Sequence, residues 1–109
     1  MSTTCRKLLQ AYLMTSYLYY VLNVSVILDD LYDSIAKALL ARYDEFDHQH
    51  KHLVSKADLE AGTLYHLRGN DYPQMIQMAA DLWMNSGAEA RERRELELRQ
   101  LLASLPTAS

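Results

Sequence analysis

The three glycines and two prolines of this chain stand at positions 62, 69 and 87 and at 73 and 106, so no strong backbone breaker occurs before residue 62. A stretch that long, with apolar residues recurring at three and four, favours helices. Cys5, Leu9, Tyr12/Leu13, Ser16 and Tyr19/Tyr20 follow that spacing and predict a first helix over residues 4 to 22, capped by Thr3 or Thr4. At about 1.5 Å per residue it spans roughly 28 Å, a full small-domain diameter. The following "VLNVSVIL" is β-branched and alternates imperfectly, and taken alone it suits a strand. No second convincing strand is there to pair with it, and a lone strand leaves its backbone groups unsatisfied. An extended linker is the better expectation.

A second helix is expected from Asp29 to about Phe46, with Leu31, Ile35, Ala38/Leu39, Arg42 and Phe46 on one face. Asp29 and Asp30 suit its start as caps and as charges facing the positive dipole end. "DHQHKH" breaks the periodicity. Ser55 with Asp58 three residues on reads as the cap of a short turn that Gly62 stops. After the loop residues "RGNDYP", Pro73 fits the first turn of a third helix. Met75/Met78/Leu82 and Ile76/Ala79/Ala80/Trp83 give that helix a wide apolar face, and Ser86-Gly87 breaks it. The tail carries four acidic and four basic residues between Glu89 and Arg99, with Glu89/Arg93 and Glu95/Arg99 spaced for ion pairs. Its leucines 98, 101, 102 and 105 form a narrow seam. Two readings are open for it: a solvated helix resting one edge on the domain, or a helix pairing with a partner or a second copy. The fold expected is all-α: an N-terminal helical hairpin, an irregular loop, a third helix and a charged C-terminal helix. A helical domain over 1–86 and a charged helical tail over 87–109 is the division expected.

With 109 residues the chain is expected to form one domain around one core. A formal charge of −3 argues against non-specific nucleic-acid binding, which needs clustered Lys and Arg. The mostly apolar stretch from Leu8 to Leu28 contains Gln10, Thr15, Ser16, Asn23, Ser25 and several tyrosines, too polar for a membrane span. Nothing at the N-terminus has the order of a signal peptide. Cys5 is the single cysteine, which excludes an intramolecular disulfide and points to a reducing cytosol. A cytoplasmic protein that does not engage membranes is the expectation.

Among candidate chemistries, His48, His50 and His52 alternate beside Asp44 and Asp47, with His66 further on. Extended, they would place three imidazoles on one side, a geometry zinc accepts. No cysteine or His-Glu-x-x-His helix supplies the remaining ligand, so solvent-facing histidines are expected and no metal site, with a phosphate or nucleic-acid contact through these histidines and Lys51 as the remaining alternative. Cys5 has no nearby histidine and reads as a small buried residue. Neither a nucleophile elbow nor a phosphate-cradling glycine loop is present.

"YLYYVLNVSVILDDLYDSI", residues 17 to 35, groups aromatic rings and carboxylates more tightly than a generic hairpin needs. Tyr19 and Tyr20 followed in register by Ile27, Asp29, Tyr32 and Asp33 resemble the N-terminal domain of NAD-dependent bacterial DNA ligases. The resemblance covers residues 8 to 45. In those ligases the domain closes over the nicotinamide mononucleotide half of NAD. The resemblance therefore implies that Tyr19 and Tyr32 pack on or beside the nicotinamide ring and that Tyr20 lies near the phosphate. Asp29 and Asp33 would hold the carboxamide or ribose hydroxyls. A cationic ring between aromatic faces and carboxylates is sound chemistry in its own right. The same pattern also arises in a hairpin whose tyrosines are core and whose aspartates serve the helix start.

The sequence departs from the family where Asn23 and Ser25 replace the usual Asp and Pro of the linker, and where Leu28 precedes the helix in place of Ser or Pro. Lys56-Ala57-Asp58-Leu59 lacks the glycine of the ligases' lysine motif, and no adenylation domain is expected. No adenylyl transfer is expected, and hence no enzyme. The remainder is similar to small phage proteins described as ligase-related. Three functions follow as expectations. One is a non-catalytic protein-interaction or regulatory module acting on a host or phage enzyme of nucleic-acid metabolism, with the C-terminal helix as contact surface or homo-oligomer interface. Another is a module that binds NAD or nicotinamide mononucleotide. The third is an accessory subunit of a split NAD-dependent ligase.

Overall fold

The computed structural model describes residues 3–24, 27, 29–62, 64, 67 and 69–105. Ser25 and Leu28 of the linker, His66 and the last four residues of the tail lie outside the described residues. Among the described residues there are five helices: α1 (Thr3–Tyr20), α2 (Asp29–Ala41), α3 (Lys56–Ala61), α4 (Gln74–Met84) and α5 (Ala88–Ser104). Single 3-10 turns stand at Tyr43–Glu45, Lys51–Leu53 and Gly69–Asp71. Among the described residues there is no strand, and the domain is all-α.

α1 is the central element. Leu8, Leu9, Tyr12, Leu13, Thr15, Ser16 and Leu18 are all buried, so the helix is covered on nearly every side. It packs against α4, α2 and α5. A helix apolar all round belongs in a core or a membrane. Here it is the core, buried against those three helices. None of the described helices is long and apolar enough to cross a membrane. Thr3 and Thr4, expected as caps, fall inside its first turn. α1 also stops two residues earlier than its periodicity suggested. Asn23 adopts a left-handed backbone at φ 58°, and the Val24 N–H donates to the Leu18 carbonyl at 2.8 Å, closing the helix end. Asn tolerates that conformation better than most side chains.

α2 buries Leu31, Ile35, Ala36 and Leu39, and carries Asp29 and Asp30 in its first turn where the dipole favours them. It ends at Ala41, not at Phe46. Phe46 is buried all the same, because the 3-10 turn at 43–45 redirects the chain and returns its ring to the core. The segment that follows is held by Lys51, whose ammonium donates to the Phe46 carbonyl at 2.7 Å and lies 4.5 Å from the Tyr43 ring centre and 4.9 Å from that of Phe46. The Tyr43 hydroxyl donates to the Val54 carbonyl.

α3 is a short helix fixed by local chemistry. The Asp58 N–H donates to Ser55 Oγ and the Ser55 N–H to Asp58 Oδ2, a complete capping box, and Gly62 ends the helix at φ 71°. Pro73 precedes α4 as its cap residue, one position earlier than expected and for the same reason, since it has no N–H to satisfy. Of the two apolar stripes on α4, Ile76, Ala80 and Trp83 are buried, while Met75, Met78 and Leu82 are exposed.

α5 lies against α1, α2 and α4. Leu98 is buried, and Leu101, Leu102 and Leu105 pack partly against the core. Of the two readings open for the tail, the helix resting one edge on the domain is the one these contacts fit. Arg91 Nη2 donates to the Met84 carbonyl at 2.6 Å and the Arg94 guanidinium sits 5.0 Å from the Trp83 ring centre, clasping α4 to α5. Arg99 pairs with Glu95 at 3.3 Å, as the spacing predicted, and lies 3.7 Å from Asp30 of α2. The radius of gyration, 13.0 Å, is what a single body of this length gives.

Candidate functional site

The end of α1 and the start of α2 meet at a cleft of about 250 Å³. Thr15, Tyr19, Tyr20, Ile27, Asp29, Tyr32, Asp33 and Gly62 line it. All five residues singled out in the sequence, Tyr19, Tyr20, Asp29, Tyr32 and Asp33, thus come to one place. Helical geometry explains part of this. Asp29 and Asp33 are one turn apart and share a face of α2, with Tyr32 beside them. Tyr19 and Tyr20 are the last residues of α1, where the chain turns and no next turn covers them.

The three lining tyrosines differ in how they are held. Tyr32 is the most constrained. Its ring lies on that of Tyr12, with centroids 4.7 Å apart and planes at 17°, and its hydroxyl is hydrogen-bonded to Ser16 Oγ at 2.6 Å. Burial pushes its phenol up to about 12, against the pull of the Ser16 bond. Tyr20 is half-buried; burial raises its phenol, and Tyr19, Asp29 and Asp33 push it the same way. Asp29 and Asp33 line the cleft with Tyr20, so two acidic side chains and the phenol share one wall. Tyr19 is half-exposed at the rim and meets Tyr20 edge to face, 4.9 Å between centroids.

Behind this wall lie two further phenols. The Tyr12 and Tyr72 hydroxyls are buried and make no hydrogen bond among the described residues. Burial raises both, with Tyr32 and Tyr20 among the groups adding to the shift. Sequence periodicity placed Tyr12 and Ser16 on α1 but gave no sign that they back Tyr32. That relation depends on the crossing of two helices and has no local signature. Gly62, which ends α3, is also part of the cleft wall.

The other candidates have structural roles. The His50 N–H donates to His48 Nδ1 at 3.0 Å, and the His48 N–H to Asp47 Oδ1 at 2.9 Å, so the pair shapes a turn. Burial lowers both imidazoles, and each is lowered further by a neighbouring histidine. Among the described residues no three His, Cys, Asp or Glu side chains are grouped to hold a metal ion. Cys5 is fully buried. Lys56 pairs with Asp44 at 2.8 Å, and Asp58 caps α3.

Chemically the cleft offers aromatic surface, two carboxylates and phenolic hydroxyls. Its volume is below the ~300–1,000 Å³ usual for drug-sized ligands, so it suits one ring with its substituents, not a whole dinucleotide. Comparison with protein-family models, with curated proteins and with solved structures finds no match to the chain.

Proposed function

We propose that the protein is a non-catalytic binding module for nicotinamide nucleotides, which grips the cationic pyridinium head group between Tyr19, Tyr20 and Tyr32 with Asp29 and Asp33 alongside. One observation carries this reading: the five residues in ligase-like register line a single cleft of ring size with both carboxylates in it. Aromatic faces attract a cation, by about 0.5–2 kcal/mol each according to desolvation. The two carboxylates add charge complementarity and can accept from an amide or ribose hydroxyls. In this reading the module serves an enzyme of nucleic-acid metabolism and transfers no adenylyl group itself, Lys56-Ala57-Asp58-Leu59 lacking the glycine of the ligases' lysine motif. Calorimetric titration with nicotinamide mononucleotide tests it. Saturable binding is expected, and no heat at millimolar ligand would remove the reading.

A second reading, a protein-interaction module, is favoured by the stripe of Met75, Met78 and Leu82 on α4, between 57% and 74% exposed. Such residues spaced three and four apart present a continuous apolar edge. Binding to a purified nucleic-acid enzyme should then be lost in Met78→Glu/Leu82→Glu, and an unaffected complex would discard the stripe as the contact.

A further inference from the structure

Tyr32, part of the cleft wall, is held in one orientation by the protein's own side chains. A surface tyrosine at the start of a helix ordinarily samples several rotamers and loses that freedom on binding. Tyr32 has already lost it. One face of its ring is covered by Tyr12 at 4.7 Å, nearly parallel, and its hydroxyl is bonded to Ser16 at 2.6 Å. Tyr12 and Ser16 are four residues apart on α1, so they stand one above the other on the same helix face. Both are fully buried, and neither lines the cleft. Two contacts at different points of one ring, its face and its hydroxyl, fix both the plane and the spin of the side chain.

We propose that Tyr12 and Ser16 are positioning residues for ligand binding: they lock Tyr32 with its free side turned to the cleft, so that a planar cation meets a wall already in place. This rests on the nicotinamide-nucleotide reading. Preorganisation of this kind raises affinity by removing the ordering cost of the side chain that makes the contact.

The alternative is that both residues only stabilise the fold, and ligand affinity separates the two. A structural role lowers the melting temperature of a variant and leaves the affinity of its folded form unchanged. A positioning role changes that affinity. In a calorimetric titration with nicotinamide mononucleotide, Ser16→Ala is expected to bind about five- to tenfold more weakly, the effect of one lost orienting hydrogen bond. Tyr12→Leu is expected to lose at least as much, and Tyr12→Phe, which keeps the stacked ring, to recover what Tyr12→Leu loses. Should Ser16→Ala lose its helical signal, Ser16→Cys keeps the volume with a poorer hydrogen-bonding group and carries the same expectation. Wild-type binding matched by folded Ser16→Ala and Tyr12→Leu would overturn the positioning role alone. Absence of wild-type binding would overturn the nicotinamide reading, and this role with it.

Discussion

Gly62 at the end of α3 approaches Asp33 of α2 so closely that a β-carbon on it would stand 3.5 Å from Asp33 Oδ1. That spacing is ordinary contact, so the side chain itself fits. The backbone is the obstacle: at φ 71° a non-glycine residue is strained. Gly62→Ala should destabilise the domain by about 1–2 kcal/mol, visible as a lower urea midpoint with unchanged slope. Because the new methyl group would face the Asp33 carboxylate, the same variant should also weaken binding of a cationic ring. Unchanged stability would contradict the left-handed α3 cap.

Buried phenols make the domain sensitive to alkali. Burial raises Tyr12, Tyr32 and Tyr72, with Tyr32 reaching about 12. A folded value above the unfolded one near 10 means the native state keeps protons that the unfolded state releases. The stability these groups contribute is fully present below pH ~10 and is lost as pH rises through the folded values, on the order of 2 kcal/mol for Tyr32 alone. Helical signal should therefore hold to about pH 10 and then fall, with late tyrosinate absorbance appearing together with unfolding. Ionisation of every tyrosine near pH 10 with the helices intact would contradict the buried cluster.

α5 is bound to the domain through one side. Leu98 is 4% exposed and Leu96 56% exposed, two residues apart on opposite sides of the helix. Leu98→Ala should cost about 2–4 kcal/mol and Leu96→Ala less than about 0.5 kcal/mol, by chemical denaturation. Equal costs would mean that the seam is not seated as described.

Where the controlling chemistry is local, the sequence was readable. The Ser55–Asp58 cap and the Gly62 stop depend on groups within one turn, and they form as their spacing predicts. Two features were not readable for the same physical reason, that periodicity records apolar spacing and not what lies opposite. The periodic face through Arg42 and Phe46 continues that of α2, yet Phe46 reaches the core from a turn. On α4 both apolar stripes fit a helix, and the positions of α1 and α5 decide that Ile76 and Trp83 face inward while Met78 and Leu82 do not. The lining of the cleft follows the register of Tyr19 through Asp33. Its backing by Tyr12 and Ser16 comes from helix packing across sixteen residues or more of chain.

The most direct test of a nicotinamide-nucleotide module is an NMR titration of the labelled protein with nicotinamide mononucleotide, run beside Asp33→Ala. Saturable shifts confined to Tyr19, Tyr20, Asp29, Tyr32 and Asp33, weakened about tenfold or more in Asp33→Ala, are the predicted result. Shifts scattered over the surface, or binding that is equal in the two proteins, would contradict it.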